Sequence, residues 1–316
     1  MTMAMEPGRR GYRMIGQERA LSPEPATSRG QRGSRQGGRG RSRGPSRKVR
    51  QLLLGLAMLV SAAGIGSTSA AAGQKTLTYL GYLAGVPVLN LTATVTVPVS
   101  GGGAMAAPVT GAYQINAQMG TIGNLAMLYP YQASMAANGR MSVGRPTPQQ
   151  FKSNQTIWQK QESITLTYDG AGDVSITANP LSQLGKQVVQ SGNANNTMDP
   201  ASAVLALVGA FSARNACGGS YAVFDGVRRY DIAVEEAGKA NVNMLQQSFY
   251  QGAATECRAA PRLVGGFQQA AVQNQLYPQS ARLWLARPIN NFPAVPVRIS
   301  AQNALGEMVL DLVAVQ

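Results

Sequence analysis

The chain has 316 residues, enough for one or two domains, and it contains no histidine, which excludes Ser–His–Asp and Cys–His catalysis and any metal site that needs imidazole. The formal charge of +14 is concentrated in residues 1–50, which hold 13 Arg and Lys and three Glu, whereas residues 51–316 hold 15 Arg and Lys and 11 Asp and Glu. Because the body of the chain is nearly balanced in charge, it carries no nucleic-acid footprint.

The first segment, residues 1–46, is rich in Arg, Gly, Ser and Pro and has no apolar periodicity. This composition predicts a disordered basic leader. RNA binding by an Arg/Gly tail is one interpretation. The favoured one is an extended leader, or a start codon assigned too early, with Val49 as the alternative start.

Residues 47–72 have the order of a secretory signal peptide. Basic residues 47–50 precede a 14-residue apolar run, residues 52–65, and small residues follow up to Ala72. The run is too short to cross a bilayer comfortably, although an uncleaved anchor and a buried core segment are the alternatives. We expect cleavage after Ala72, which leaves residues 73–316 as a single β-rich periplasmic domain without a transmembrane segment.

Period-2 alternation dominates the exported part. Apolar and polar residues alternate over residues 89–99, 113–119, 164–168 and 230–234, and residues 297–301 and 308–313 flank a turn at 303–306. One buried and one wet face per strand is typical of antiparallel sheets. The sequence therefore predicts a mainly β fold.

The stretch at about 199–213 predicts the one helix. Asp199 is a candidate N-cap and Pro200 occupies the first helical position. One face carries the large apolar residues Val204, Leu207, Val208 and Phe211. The other face carries the small residues Ala203, Ala206, Gly209 and Ala210. Because neither face is charged, both should be buried. It is either an ordinary core helix or a cover for an antiparallel, strongly curved sheet, an open barrel or β-spiral.

In the second case Leu207 and Phe211 would face an apolar ligand. Two aromatic residues, Trp284 and Tyr79, are further candidates for lining such a pocket, although aromatic residues in β-proteins more often belong to the core.

Two other features are candidate sites. The cysteines, Cys217 and Cys257, predict a structural disulfide in an exported protein, since no C-x-x-C motif is present and two lone thiols make a poor metal site. The pair Arg228 and Arg229 is a candidate contact for an anionic group. The favoured alternative is a solvated hairpin around an Asp-Gly turn.

Six short stretches together resemble a proteobacterial envelope family, domain of unknown function 3108, over about residues 76–316. The matching stretches are Tyr79-Leu-Gly-Tyr-Leu-Ala-Gly-Val-Pro-Val, Tyr113-Gln-Ile-Asn-Ala, Asp199-Pro-Ala-Ser-Ala, Phe224-Asp-Gly-Val-Arg-Arg-Tyr-Asp231, Trp284-Leu-Ala and Pro296-Val-Arg-Ile. The resemblance implies a periplasmic, β-rich protein without an assigned reaction. By looser analogy, it is similar to curved-sheet lipoprotein carriers and to β-spiral envelope-integrity proteins.

Enzymatic motifs are missing from the sequence: no Gly-rich phosphate loop opens a helix after a strand, and no G-x-S-x-G elbow occurs. We therefore expect no catalysis, no cofactor and no metal. The expected function is that of a non-catalytic periplasmic scaffold or binding factor that supports cell-envelope integrity, with lipid or an envelope protein as its partner. A lipid or lipoprotein carrier is the alternative, and a hydrolase of envelope glycan or lipid is the third.

Overall fold

The structure is a computed structural model that describes residues 71–99, 110–180, 193–243 and 247–316. These residues all lie within one compact unit, residues 65–316. The predicted leader and almost all of the predicted signal peptide lie outside the described residues. Ala71 and Ala72, on the N-terminal side of the predicted cleavage point, open the first strand.

In the described ranges, thirteen strands form one sheet in which every neighbouring pair is antiparallel. Its order is β7-β6-β5-β4-β3-β2-β1-β13-β12-β11-β10-β9-β8. The mainly β, antiparallel prediction is therefore confirmed. The strands are β1 Ala71–Leu83, β2 Val86–Val99, β3 Gly111–Thr121, β4 Tyr131–Ser142, β5 Arg145–Ile157, β6 Lys160–Tyr168, β7 Val174–Asn179, β8 Gly219–Phe224, β9 Arg229–Val242, β10 Gly252–Gly265, β11 Ser280–Ala286, β12 Val295–Asn303 and β13 Gly306–Val315.

Alternation along each strand separates an inner face from an outer face. In β3, Tyr113, Ile115 and Ala117 are buried, while the residues between them are exposed. We call the face that carries these three side chains the inner face. The outer face of β2 to β5 is polar, as the threonine and amide residues between the apolar positions predict.

The two ends of the sheet, β7 and β8, do not pair with each other. Residues 193–198 run between them instead. The Met198 amide donates to the Ala222 carbonyl and the Phe224 amide donates to the Met198 carbonyl, each at 2.9 Å. The Asn196 amide donates to the carbonyl of Gly172, in the β6–β7 turn. The sheet is thus curved but open, as predicted.

The main helix, α2, spans Pro200–Arg214 and begins at the predicted N-cap, Asp199. It ends at Asn215, which adopts the left-handed conformation that favours helix termination. The small-residue side allows close approach, since a Cβ on Gly209 would lie 2.2 Å from the carbonyl oxygen of Gly144 in the β4–β5 turn. Burial on both faces is correct except at Val204, which is 42 % exposed, and at Ala210, which is half-buried.

Two further short helices were not predicted: α1 Gly123–Leu128 and α3 Gln269–Gln273. Neither has a capping side chain or a buried residue, so neither carries the sequence signals on which helix prediction depends. Both connect neighbouring strands, β3 to β4 and β10 to β11.

The core divides into two clusters that meet at α2. The first joins Ala201 and Leu205 of the helix to residues of β1 to β6 and of β8 to β13. The second joins Leu207, Val208 and Phe211 to β9, β10 and β11. One helix therefore stabilises both halves of the sheet.

Candidate functional site

The start of α2 is fixed to the sheet by a buried polar group. Asp199 accepts hydrogen bonds from the Ser202 amide at 2.9 Å and from the Ser202 hydroxyl at 2.5 Å. The same hydroxyl lies 2.7 Å from the hydroxyl of Tyr113 on β3. Asp199 and Ser202 have no exposed surface. The N-cap therefore also positions the helix above the inner face.

Burial shifts the pKa values of this group. It raises the pKa of Asp199, although the hydrogen bonds from Ser202 act in the opposite direction. It also raises the pKa of Tyr113 and of nearby Tyr168, whose hydroxyl oxygen is buried without a hydrogen-bond partner among the described residues. A serine beside a carboxylate is a potential nucleophile, but Ser202 is sealed from solvent. The arrangement serves positioning.

A cavity of about 200 Å³ lies between α2 and the inner face, and we call it the helix cavity. Its walls are almost entirely apolar, and they come from α2, from the five strands β1 to β4 and β12, and from residues 292–294, which lead into β12. The lining includes Tyr79, Leu91, Ala93, Val95, Ile115, Ala117, Met119, Met135, Ala201, Val204, Leu205, Val208, Phe292, Pro296 and Ile299.

The polar atoms at this wall are already bonded. The Tyr79 hydroxyl donates to the Pro296 carbonyl oxygen at 2.9 Å, so the tyrosine presents its ring to the cavity. Burial also raises the pKa of this phenol. An apolar cavity favours a hydrocarbon over a polar ligand.

Of the four residues expected to face a ligand, Tyr79 lines the helix cavity and the other three do not. Leu207 and Phe211 pack into the second core cluster, and Trp284 lies on the side of β11 opposite Leu283. The expected placement of these three residues is corrected accordingly. The helical period alone could not show which half of α2 lies over a closely packed wall.

The helix residues that do line the cavity, Ala201, Val204, Leu205 and Val208, follow the i, i+3, i+4, i+7 spacing. This face is rotated from the one chosen on side-chain size. Its small first member, Ala201, was a signal that space remains between helix and sheet.

The predicted disulfide is present between Cys217 and Cys257, whose Cα atoms lie 5.7 Å apart. Cys217 follows the C-terminal end of α2, and Cys257 is fully buried on β10. The Cys217 amide also donates to Glu236 on β9. The bridge therefore fixes the end of the helix to the sheet beneath the second cluster.

Each arginine of the proposed anion contact has a carboxylate partner within the chain. Arg228 pairs with Asp225 at 2.8 Å, and Arg229 pairs with Asp231 at 2.6 Å. The Arg228 guanidinium also lies 5.9 Å from the ring centre of Tyr277. Both arginines are therefore paired within the chain, and the side chain of Arg229 is largely buried.

The described residues form two other hollows. One of about 490 Å³ lies on the outer face and is lined by uncharged polar side chains of β2 to β5. One of about 300 Å³ lies on the same face of β9 to β12 as the second core cluster, beside Arg228, Phe267 and Tyr277. Within the described ranges, no group of three or more Cys, Asp or Glu residues is placed to hold a metal ion.

No helix in the described part of the chain combines the length and apolar character that crossing a bilayer requires. The fold and the cavity together define a β-rich protein in which one helix covers the inner face of an open, curved sheet and leaves an apolar space beneath it. The chain belongs to the family described as protein of unknown function DUF3108, whose family model matches residues 78–313.

Comparison with curated proteins finds no match. Among solved structures, the chain is similar to a beta-barrel-like protein of the domain of unknown function DUF1849 from Brucella abortus, known from its crystal structure. The two are 12 % identical, the similarity covers 77 % of this chain and 97 % of that one, and the TM-score is 0.43.

Proposed function

We propose that this protein is a non-catalytic binding protein of the bacterial periplasm that holds an acyl chain in the helix cavity and supports cell-envelope integrity. The apolar lining of the cavity, from Leu91 and Met119 on the sheet to Val204 on the helix, is the observation that carries the proposal. Transfer of a hydrocarbon chain from water to such an apolar wall is favourable by about 25 cal/mol per Å² of buried apolar surface.

The size of the cavity limits the ligand. Its volume of about 200 Å³ is below the roughly 300–1,000 Å³ of pockets for drug-sized ligands. A single acyl chain, or part of one, matches it better than a two-chain lipid. The half-exposed Val204 leaves the wall accessible from solvent, where the polar end of the ligand would remain hydrated.

The proposed compartment is supported by the disulfide, because such bridges persist in oxidising compartments. Cleavage after Ala72 would leave Gly73 to Leu83 of β1 paired with β2. We expect mass analysis of the protein from cells to find a new N-terminus close to Gly73. Full-length protein confined to the cytoplasm would contradict both the export and the periplasmic assignment.

The direct test is native mass spectrometry of the purified protein, followed by extraction and identification of any bound lipid. Ala117→Phe places a ring in the helix cavity and should abolish retention. Ala112→Phe is the matched control, since Ala112 lies on the exposed, outer side of the same strand. Retention by Ala112→Phe together with loss in Ala117→Phe supports the proposal, and equal retention by both variants contradicts it.

A scaffold that binds an envelope protein is the competing function. It predicts a protein that is purified without lipid and that captures the same partner whether or not Ala117→Phe fills the cavity. The sheet order favours this alternative, because among the described residues β7 pairs with a strand on one side only, and such an edge can pair with another strand. Ala117→Phe therefore distinguishes the two functions: it should abolish lipid retention by a carrier, and it should leave partner capture by a scaffold unchanged.

A further inference from the structure

Exposed apolar side chains concentrate at one end of the sheet. Four of the connections at this end are 84–85 between β1 and β2, 122–130 between β3 and β4, 158–159 between β5 and β6, and 304–305 between β12 and β13. In or directly after each of them, at least one large apolar residue is exposed to solvent. These residues are Val86 (61 %), Met127 (81 %), Leu128 (73 %), Tyr129 (44 %), Trp158 (54 %) and Leu305 (71 %).

The turns are neighbours because the strands they join are neighbours in the sheet, from β6 through β1 to β12. Direct contacts support this placement. The Tyr129 and Trp158 rings meet edge to face at 6.4 Å between centroids, and the Trp158 amide donates to the Pro130 carbonyl oxygen. The Ile122 amide donates to the carbonyl of Val88, beside the β1–β2 turn. We call this set of turns the apolar end.

The four turns of the apolar end are uncharged, although the β8–β9 turn at the same end of the sheet carries Asp225 and Arg228, which pair with each other. None of the four contains Asp, Glu, Lys or Arg. The described turns at the other end include Asp169, Asp173 and Arg287. Lone exposed apolar residues are normal on soluble proteins, but six on adjacent, uncharged turns form a patch that requires a partner.

We propose that the apolar end inserts into the surface of a lipid bilayer. The apolar residues lie on separate turns and do not line one groove. A fluid lipid surface can bury such separate side chains without having a complementary shape, whereas a folded protein partner cannot. Trp and Tyr are the side chains enriched at membrane–water interfaces. Lys160 follows Trp158 closely and has no ion-pair partner among the described residues, so its charge is available to an anionic head group.

The inserted depth is that of an interfacial contact. Met127 and Leu128 would enter the boundary between head groups and acyl chains, with the Tyr129–Trp158 pair beside them at the head-group level. Because apolar burial supplies most of the attraction, binding should persist on uncharged vesicles and at high salt, with Lys160 adding a salt-sensitive part on anionic ones.

The test is flotation of the purified protein with vesicles of phosphatidylcholine, alone or with a minor fraction of phosphatidylglycerol. Met127→Asp combined with Leu128→Asp should lower the partition coefficient by about tenfold or more on both kinds of vesicle, since two apolar anchors are lost. Both positions are exposed, so the variant should fold. Val143→Asp is the matched control: 65 % exposed, but in a turn at the opposite end.

Fluorescence gives a second, residue-specific measurement. The sequence has only two tryptophans, so Trp284→Phe leaves Trp158 as the single reporter. Its emission should move to shorter wavelength when vesicles are added. Ala117→Phe, which fills the helix cavity, should float like the unmodified protein, and this result separates membrane docking from the proposed ligand.

Three results would overturn the proposal: absence of flotation on both kinds of vesicle, an equal loss with Val143→Asp, or a Trp158 response to a soluble neutral oligosaccharide but not to vesicles. The last would identify the aromatic pair as a sugar-stacking surface beside the polar outer hollow.

Discussion

The two halves of α2 pack on the same sheet in different ways. The first half, represented by Ala201 and Leu205, borders the helix cavity. The second half, represented by Leu207 and Phe211, is buried without such a space, next to Cys257 of the disulfide. The helix thus borders a cavity with its first half and is closely packed in its second half.

Side-chain volume accounts for the difference. Beneath the first half, the sheet presents small residues such as Ala93 and Ala117. Beneath the second half it presents Leu283 and Leu285, which fill the space. Close packing is the usual state of protein interiors, so a region that departs from it on both sides of one contact is a candidate ligand site.

A charge placed in the second half of α2 tests most strongly whether this half is closely packed. Phe211 is 2 % exposed, so Phe211→Asp buries an unpaired carboxylate and should destabilise the protein by more than about 4 kcal/mol, enough to prevent folding. Far-UV circular dichroism and thermal unfolding measure this.

The matched control for Phe211→Asp is Val204→Asp on the same helix. Val204 is half-exposed, so its carboxylate can reach water and the protein should fold while losing lipid retention. A Phe211→Asp protein with an unchanged thermal midpoint would show that Phe211 is not buried, which would contradict close packing of the second half of α2.

The disulfide should give the next largest effect. Closing a loop with a sequence separation of 40 residues contributes about 4 kcal/mol on the chain-entropy account. We expect the double variant Cys217→Ser, Cys257→Ser to lose about that much in urea unfolding, with lipid retention kept because the bridge lies beneath the packed half. Non-reducing peptide mapping of the unmodified protein should find one bridge; two alkylatable thiols would refute it.

A matched pair of leucines compares the two halves directly. Leu207→Ala should destabilise the protein by about 2–5 kcal/mol, as for truncation in close-packed cores. Leu205 is equally buried but lines the cavity, so some of its packing partners are already missing. We expect Leu205→Ala to cost at least about 1 kcal/mol less and to change lipid retention. Equal costs would mean that the two halves are packed alike.

Most of the sheet and the main helix could be predicted from sequence because their signals are local. Alternation located β2, β3 and β6, and the N-cap Asp199 located the start of α2. Strand β5 carries Ser153 and Gln155 at inward-facing positions, which removed the alternation on which prediction depends.

The cavity could not be predicted because it depends on pairs of residues far apart in sequence. Ala93 and Ala117 become its wall only when the register of β2 and β3 places them side by side beneath α2. The apolar end has the same origin, since four separate turns meet only through the order of the strands. A single sequence shows the members of such sets but not their proximity.

The smallest predicted effect concerns the polar group at the start of the cavity-bordering half. Below about pH 3.9, the pKa of an unperturbed Asp, the Asp199 carboxyl is protonated in both the folded and the unfolded chain. Burial raises its folded-state pKa, so as the pH rises above that value the unfolded chain loses its proton first. The folded state then binds more protons, and its stability falls with pH until the folded-state pKa is passed.

Asp199→Asn removes the contribution of this carboxyl group to the pH dependence of stability. Asn caps a helix about as well as Asp, so the free energy of unfolding at pH 4 should change by no more than about 1 kcal/mol. Relative to the unmodified protein, the variant should gain stability from pH 4 to pH 8 in urea titrations. Asp231→Asn is the control, because the pKa of Asp231 is shifted in the opposite direction. Partial burial raises this pKa, but hydrogen bonds from Arg229 and Arg262 outweigh burial and lower it. Its carboxylate therefore stabilises the fold above the unfolded-state pKa and loses that contribution as the pH falls further. A flat difference for Asp199→Asn would mean that the Asp199 carboxylate reaches solvent, and the buried link from α2 to Tyr113 would have to be abandoned.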